Sequence, residues 1–129
     1  MSTLFTKIVS GEIPCHKVAE DEDFLAFLDI NPNAKGHTLC IPKKETNKLF
    51  DLDEEEYVSL MLFSRKVAFA LEKTVPCKRV GTAVIGLEVP HVHVHLIPLN
   101  DMKDATFQHK VAMSSEELST LAKAIQENI

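Results

Sequence analysis

The feature that most constrains this chain is a short run, PHVHVHLIP, in which histidine alternates with apolar residues. In an extended strand, alternate side chains point to the same face of a sheet. We therefore predict that His91, His93 and His95 project together, while the apolar residues between them point into a core. Side chains on one face of a strand stand about 6.6–6.8 Å apart, which lets several imidazoles surround one small anionic group.

Three imidazoles on one face have three chemical uses. A neutral imidazole is a good nucleophile toward phosphorus, and its neighbours can donate protons or hydrogen bonds to phosphoryl oxygens. Two or three histidines of one strand can instead hold a zinc ion. Histidines on a half-buried face can also be purely structural, satisfied by hydrogen bonds. The residues favour the first use and leave the other two open.

Bulk composition narrows the class of protein. A chain of 129 residues fits one domain, residues 1–129, with a real core. The net charge of -5 argues against nucleic-acid or anionic-membrane partners. The apolar stretches are too short to cross a bilayer, and the first residues do not have the pattern of a signal peptide. Three cysteines without a CxxC motif favour reduced thiols, so we expect a cytoplasmic protein.

The order of patterns predicts an α+β domain with about five antiparallel strands, a long helix and a C-terminal helix. Asp53 and Glu56 can cap the long helix, which then runs to about Thr74, and Ser114 and Glu117 can cap the last one. The remaining elements are a short helix over 3–10 and strands over His16–Ala19, Phe24–Asp29, His37–Pro42, Arg79–Ile85 and the histidine run. Residues 99–113 read as a polar connection.

Three segments together resemble the histidine triad (HIT) family of nucleotide hydrolases and transferases. They are LFTKIVSGEIP, AFLDINPNAKGHTLCIPKK and GLEVPHVHVHLIP, which occur in the family's order and at its spacing. The resemblance covers nearly the whole chain. It implies the HIT-like fold, and it implies a homodimer whose two sheets join across the subunit interface.

The resemblance also implies roles for four histidines. His93 matches the residue that attacks the α-phosphorus of a nucleotide and carries the covalent nucleotidyl intermediate. His91 matches the residue whose backbone carbonyl orients that ring, and His95 matches the residue close to the phosphate and leaving group. His37 matches a more distant histidine that completes the relay. Without the resemblance, His37 reads as a surface histidine at the start of a strand.

A nucleotide-binding pocket follows from the same resemblance. Asp29 matches the acidic residue that accepts hydrogen bonds from the ribose hydroxyls, a task that suits a carboxylate. An Asp before Asn31-Pro32 also suits a turn, so both interpretations stay open. The positions that match the lining of the base pocket are Phe5, Ile8, Phe27 and Ile30, although core packing explains any one of them equally well.

The segment before the histidine run departs from the family pattern. Ile85–Pro90 is shorter than usual, and Leu87 stands where a hydrogen-bonding glutamine is common. Leucine cannot donate a hydrogen bond, so we expect altered contacts to the leaving group. Backbone N–H groups near Gly86 and Leu87 can still bind substrate oxygens.

Some bacterial relatives hold a structural zinc through two N-terminal cysteines and a histidine. Here Thr3, Thr6 and Glu45 occupy those positions, so we expect no metal and no cofactor. Together with the resemblance, the sequence therefore implies a metal-independent phosphoramidase or nucleotidyl hydrolase that acts on a purine nucleotide conjugate. Two alternatives stay open: a nucleotide-binding regulator with negligible turnover, and a metal-binding protein that uses the triad.

Overall fold

Residues 3–129 are described by the computed structural model and form one sheet with helices packed against it. The α-helices are α1 Leu4–Val9, α2 Glu54–Thr74 and α3 Ser115–Gln126. The strands are β1 Lys17–Glu20, β2 Phe24–Leu28, β3 Thr38–Pro42, β4 Arg79–Ala83 and β5 Val94–Leu99. Short 3-10 helices cover Leu49–Asp51 and Met102–Ala105, the second of them inside the connection that we predicted to be polar. Within residues 3–129, no helix has the length and apolar character needed to cross a membrane.

Local capping sets where the two long helices begin, as predicted. The Asp53 carboxylate accepts a hydrogen bond from the backbone N–H of Glu56 at 2.8 Å, which satisfies one open donor at the start of α2. Ser114 and Glu117 form the full reciprocal capping box of α3. Both helices therefore start from signals that lie within four residues of each other in the chain.

The sheet has the order β1-β2-β3-β5-β4, and every neighbouring pair is antiparallel. This confirms the predicted α+β architecture with five antiparallel strands. Strands β2 and β3 are buried along their whole length, because both faces of the sheet are covered. β4 lies at one edge of the sheet.

The histidine run is only partly a strand, which corrects the prediction. β5 begins at Val94, so among the three histidines only His95 belongs to the ladder. Pro42 has no N–H group to extend β3, and its carbonyl oxygen accepts from the His91 ring instead. The backbone N–H of Val92 donates to the carbonyl of Thr46 at 2.8 Å. Loop contacts, not strand pairing, therefore hold His91 and His93.

The two faces of the sheet are covered by different elements. Helices α2 and α3 pack on one face and close the larger apolar core, whose central side chains include Leu60, Leu71 and Val94. A smaller cluster covers the other face, where Phe5 of α1 meets Phe27 and other strand residues. His95 lies opposite Leu39 of that smaller cluster, and directly opposite residues share a face. The histidines therefore belong to the α1 side of the sheet.

The turn from β2 to β3 ends at Gly36, one residue before His37. Gly36 has φ +96°, a conformation that side chains rarely tolerate. A Cβ atom at this position would lie 3.0 Å from Cγ2 of Val75 and 3.1 Å from Cγ of Pro98. Both the backbone conformation and the close packing thus require glycine here.

Candidate active site

The His93 ring is oriented by one short hydrogen bond. Its Nδ1 lies 2.7 Å from the backbone carbonyl oxygen of His91. A carbonyl only accepts, so Nδ1 carries the proton and donates it. Nε2 of the neutral ring therefore holds a lone pair. The ring lines a cavity on the α1 side, and Phe5 packs edge-on against it with centroids 4.9 Å apart.

The His91 ring is fully buried and does not line that cavity. Its Nε2 donates to the carbonyl oxygen of Pro42 at 2.8 Å. In the neutral ring Nδ1 then accepts from the hydroxyl of Thr3, 3.1 Å away. The expected set of three imidazoles around one anion is thus reduced to two, because His91 is directed into the protein to hold the backbone that orients His93.

Thr3 joins His91 to a chain of polar groups. Thr3 caps α1 and forms a reciprocal capping box with Thr6. The Thr6 hydroxyl donates to Oε1 of Glu45 at 2.8 Å. The three positions that the resemblance relates to zinc ligands are therefore joined by hydrogen bonds, and Thr3 connects them to His91. This chain fastens α1 to the segment that carries the histidines.

Hydrogen bonds fix the tautomers of His37 and His95. The backbone N–H of Asn33 donates to Nδ1 of His37 at 3.0 Å, so the proton of neutral His37 is on Nε2. That Nε2 lies 2.9 Å from Nδ1 of His95 and donates to it. Neutral His95 must then carry its proton on Nε2. Because His95 lines the cavity, this places a hydrogen-bond donor at the wall beside His93.

These rings are uncharged at neutral pH. Burial, followed by the positive charges of neighbouring groups, lowers the pKa of His37 to about 3 and that of His95 to about 4. Burial also lowers the pKa of His91. The hydrogen bond from Nε2 of His37 thus fixes the tautomer of neutral His95.

Asp29 lies at the edge of the same cavity. Its Oδ1 accepts from the backbone N–H of Asn31 at 2.8 Å, and its Oδ2 is 3.7 Å from Nε2 of His37. Burial raises the pKa of this carboxyl. Asp29 thus forms the turn expected from the sequence and also presents a carboxylate to the cavity.

The cavity has a volume of about 660 Å³ and brings together part of the predicted set. Phe5, Asp29, Leu87, His93 and His95 line it. Phe27 is buried in the smaller core cluster and Ile8 packs against that cluster, whereas Ile30 is 75% exposed; none of the three reaches the cavity wall. Gly86 is also outside the wall, next to Leu87.

The lining residues that the sequence reasoning missed include Thr106, Phe107 and Lys110. They come from the connection after β5. Phe107 packs edge-on against His95 at 4.8 Å between centroids and has φ 63°, an unusual value for a residue with a bulky side chain. No local pattern marks these positions, because contacts with residues 32 and 33 place them.

Asp29, His37 and His95 are also the group best placed to hold a metal ion. One ligand atom of each lies within 4.8 Å of the others. His37 and His95 already share a hydrogen bond, so a metal ion would have to replace its proton and separate the two nitrogens. Tetrahedral zinc with Zn–N bonds near 2.0–2.1 Å needs its nitrogens roughly 3.3 Å apart, wider than the 2.9 Å found here.

Known proteins share both the sequence and the architecture of this chain. Residues 10–102 match the HIT domain family. An uncharacterized HIT-like protein of Methanocaldococcus jannaschii is 41% identical over 99 residues, 74% of this chain and 77% of that protein. An adenosine 5'-monophosphoramidase of Schizosaccharomyces pombe is 40% identical over 99 residues, 76% of this chain and 74% of that protein.

A solved structure extends the comparison to almost every residue. The HIT-like protein of Bartonella henselae, described as involved in cell-cycle regulation, superposes with a TM-score of 0.87 at 32% identity. The match covers 99% of this chain and 96% of that one. The family match, the relatives and the common fold together show that this chain belongs to the HIT family.

Proposed function

We propose that the chain hydrolyses purine nucleoside 5'-phosphoramidates and related conjugates at the α-phosphorus, through a covalent nucleotidyl intermediate on His93. The observation that carries the proposal is the bond from Nδ1 of His93 to the His91 carbonyl, which leaves Nε2 with a lone pair in a cavity. Relatives from Schizosaccharomyces pombe and Saccharomyces cerevisiae that are named adenosine 5'-monophosphoramidases add support.

In the first step, Nε2 of His93 forms a bond to the α-phosphorus, and the bond from phosphorus to the leaving nitrogen breaks. The leaving nitrogen keeps that electron pair and takes up one proton from solvent. His91 holds the attacking ring through its carbonyl oxygen, so the nucleophile needs no rotation to react. The Nε2–H of His95 donates to a phosphoryl oxygen and stabilises the charge that develops there.

In the second step, water attacks the phosphorus and the bond to His93 breaks. Water loses one proton, which balances the proton taken by the leaving nitrogen. The products are a nucleoside monophosphate and an amine, and His93 returns to its starting state. No step requires a metal ion or another cofactor.

The remaining cavity walls suit a nucleoside. Asp29 is proposed to accept hydrogen bonds from the ribose hydroxyls, since its carboxylate faces the cavity. Leu4, Phe5 and Leu39 provide an apolar wall, and we propose that it receives the purine base.

We also propose that the protein is a cytoplasmic homodimer. β4 is an edge strand, and the α2 residues Val58, Leu62 and Phe69 are 47%, 57% and 50% exposed. A second copy that pairs along β4 would satisfy the open strand edge, and the exposed side chains of α2 offer an apolar surface for a further contact. Sedimentation equilibrium tests this proposal, because a monomer at micromolar concentration would contradict it.

The proposed cytoplasmic location is supported by the unpaired thiols of Cys15, Cys40 and Cys77, which suit a reducing compartment. Cell fractionation tests this location.

The decisive experiment follows release of AMP from adenosine 5'-phosphoramidate in excess EDTA. We expect release by the wild-type protein and by His109→Ala, because His109 is exposed and lies outside the cavity. We expect none from His93→Ala. A wild-type protein that binds AMP without releasing it from the substrate would support the regulatory alternative. Release that EDTA abolishes would overturn the metal-independent mechanism.

A further inference from the structure

A lysine side chain stands at the cavity with its ammonium group held in place. Nζ of Lys110 donates to Oδ1 of Asn33 at 2.7 Å. The same Nζ lies 5.3 Å from the centre of the Phe107 ring, within reach of a cation–π contact. Lys110 itself lines the cavity together with His93 and His95. A flexible side chain is thus given one position beside the reacting groups.

The anchor of Lys110 is buried and rigid. Asn33 has 0% exposure, and its Nδ2 donates to the carbonyl oxygen of Asp104 at 3.0 Å. The backbone N–H of Asn33 donates to His37. The backbone N–H of Val111 donates to the Pro32 carbonyl at 2.9 Å. Residues 104–111, here called the strap, are therefore fastened at both ends to the turn that precedes His37.

The strap touches the reacting face through Phe107. Its ring packs against His95 at 4.8 Å and against His37 at 6.0 Å between centroids. The backbone of Phe107 is left-handed, with φ 63°, at the point where the ring contacts the two imidazoles. Lys110 follows three residues later, so the position of its ammonium is tied to the position of His95.

Lys110 shares the cavity with the carboxylate of Asp29 but does not form an ion pair with it. Within residues 3–129, no carboxylate oxygen lies within 4.0 Å of its Nζ, and the group that accepts its hydrogen bond is the neutral amide of Asn33. The cavity-lining residues include no other lysine and no arginine. Its charge is near enough to lower the pKa values of Asp29, His37 and His95. Because the imidazoles of His37 and His95 are neutral at pH 7, Lys110 supplies a permanent positive charge to this wall.

The segment before the triad adds no comparable side-chain donor to the cavity wall. Ile85, Leu87 and Val89 are apolar and Glu88 is acidic, so these four side chains of the segment before the triad offer nothing that attracts an anion. An anionic group in the cavity is therefore attracted by Lys110 and gains no side-chain attraction from this segment.

We propose that Lys110, held by Asn33 and Phe107, forms an anion subsite that receives a second phosphate attached to the α-phosphate of the bound nucleotide. The inference rests on the proposed function, because it assumes a nucleotide whose α-phosphate lies at His93 and His95. It predicts that the chain favours conjugates with a phosphate beyond the α-position over conjugates with a neutral amine there. A guanidinium at the same position would keep the charge and the ability to donate.

Calorimetric titration with AMP and with ADP tests the subsite without any turnover. We expect the wild-type protein to bind ADP about tenfold more tightly than AMP, the effect of one charge-assisted hydrogen bond. In Lys110→Gln this preference should disappear while the affinity for AMP stays within about twofold. Lys110→Arg should retain most of the preference. Lys103→Gln is the matched control, because Lys103 is exposed and lies outside the cavity.

Two results would overturn the subsite. One is an unchanged ADP-to-AMP ratio in Lys110→Gln, and the other is an equal loss of affinity for both nucleotides. The pKa of His95, measured by NMR, checks that the variant is folded and that Lys110 lies near this ring. It should rise in Lys110→Gln, because the positive charge that lowers it is removed. Failure of the proposed hydrolysis appears separately, as absent AMP release with the nucleotide preference intact.

Discussion

Acid should destabilise this protein through the paired imidazoles of His37 and His95. In the folded chain their pKa values are about 3 and about 4, whereas both rings titrate near 6.5 in an unfolded chain. Between these values the unfolded state binds more protons than the native state, so stability rises with pH. The stabilisation is complete above pH 6.5 and is lost as the pH falls toward 4.

The magnitude follows from the distance to the unfolded pKa. A pH of 5.0 is about 1.5 units below the pKa of each unfolded ring, and one pKa unit corresponds to about 1.4 kcal/mol. Each ring therefore lowers the free energy of unfolding by about 2 kcal/mol relative to pH 7.5, and the pair by about 4 kcal/mol. Since small domains are stable by about 5–15 kcal/mol, this loss is easily measured.

The assay is urea unfolding followed by far-ultraviolet circular dichroism at pH 7.5 and pH 5.0. In His95→Gln the difference between the two pH values should be about 2 kcal/mol smaller than in the wild-type protein, because one titrating ring is gone. His109→Gln serves as the control, because this side chain is exposed and lies outside the cavity. A wild-type difference below about 1 kcal/mol, or an equal difference in His95→Gln, would refute the reasoning.

Two further predictions concern buried groups elsewhere. Thr3→Val removes the hydroxyl 3.1 Å from Nδ1 of His91 and should lower the free energy of unfolding by about 1–3 kcal/mol. Thr3→Ser keeps the hydroxyl and serves as the control. Equal stability of the two variants in urea would contradict this prediction. Burial makes Cys40 inaccessible and raises its pKa to about 12, so a thiol reagent such as DTNB should modify Cys15 and Cys77 in the folded protein and Cys40 only in urea. Three reactive thiols without denaturant would disprove the burial of Cys40.

Local signals made most of the fold predictable. The caps at Asp53 and Ser114 act within one turn, so the long helices begin where the sequence indicates. The histidine run was harder, because its alternation suits a strand along its whole length. Its first half is diverted by a distant residue, Pro42, whose missing N–H and available carbonyl cannot be read from the run itself.

Only some residues of the candidate site could likewise be predicted from the sequence. The alternating pattern identified His93 and His95, which line the cavity, and the resemblance to the family added Asp29. The resemblance also placed Ile30 in the base pocket, yet the side chain that follows Asp29 is 75% exposed. Lys110 was missed because its place depends on a hydrogen bond to Asn33, a residue 77 positions away in the chain.

The glycine that precedes His37 has a consequence for how this protein can diverge. At Gly36 a methyl group would meet both Val75 and Pro98, and the backbone conformation disfavours any other residue. A mutational library that includes this position would consist mostly of poorly folded clones, whereas the exposed segment around Leu87 tolerates exchange. Evolution of new selectivity, natural or in the laboratory, should therefore proceed by varying the loops around the cavity while the turn before His37 stays unchanged.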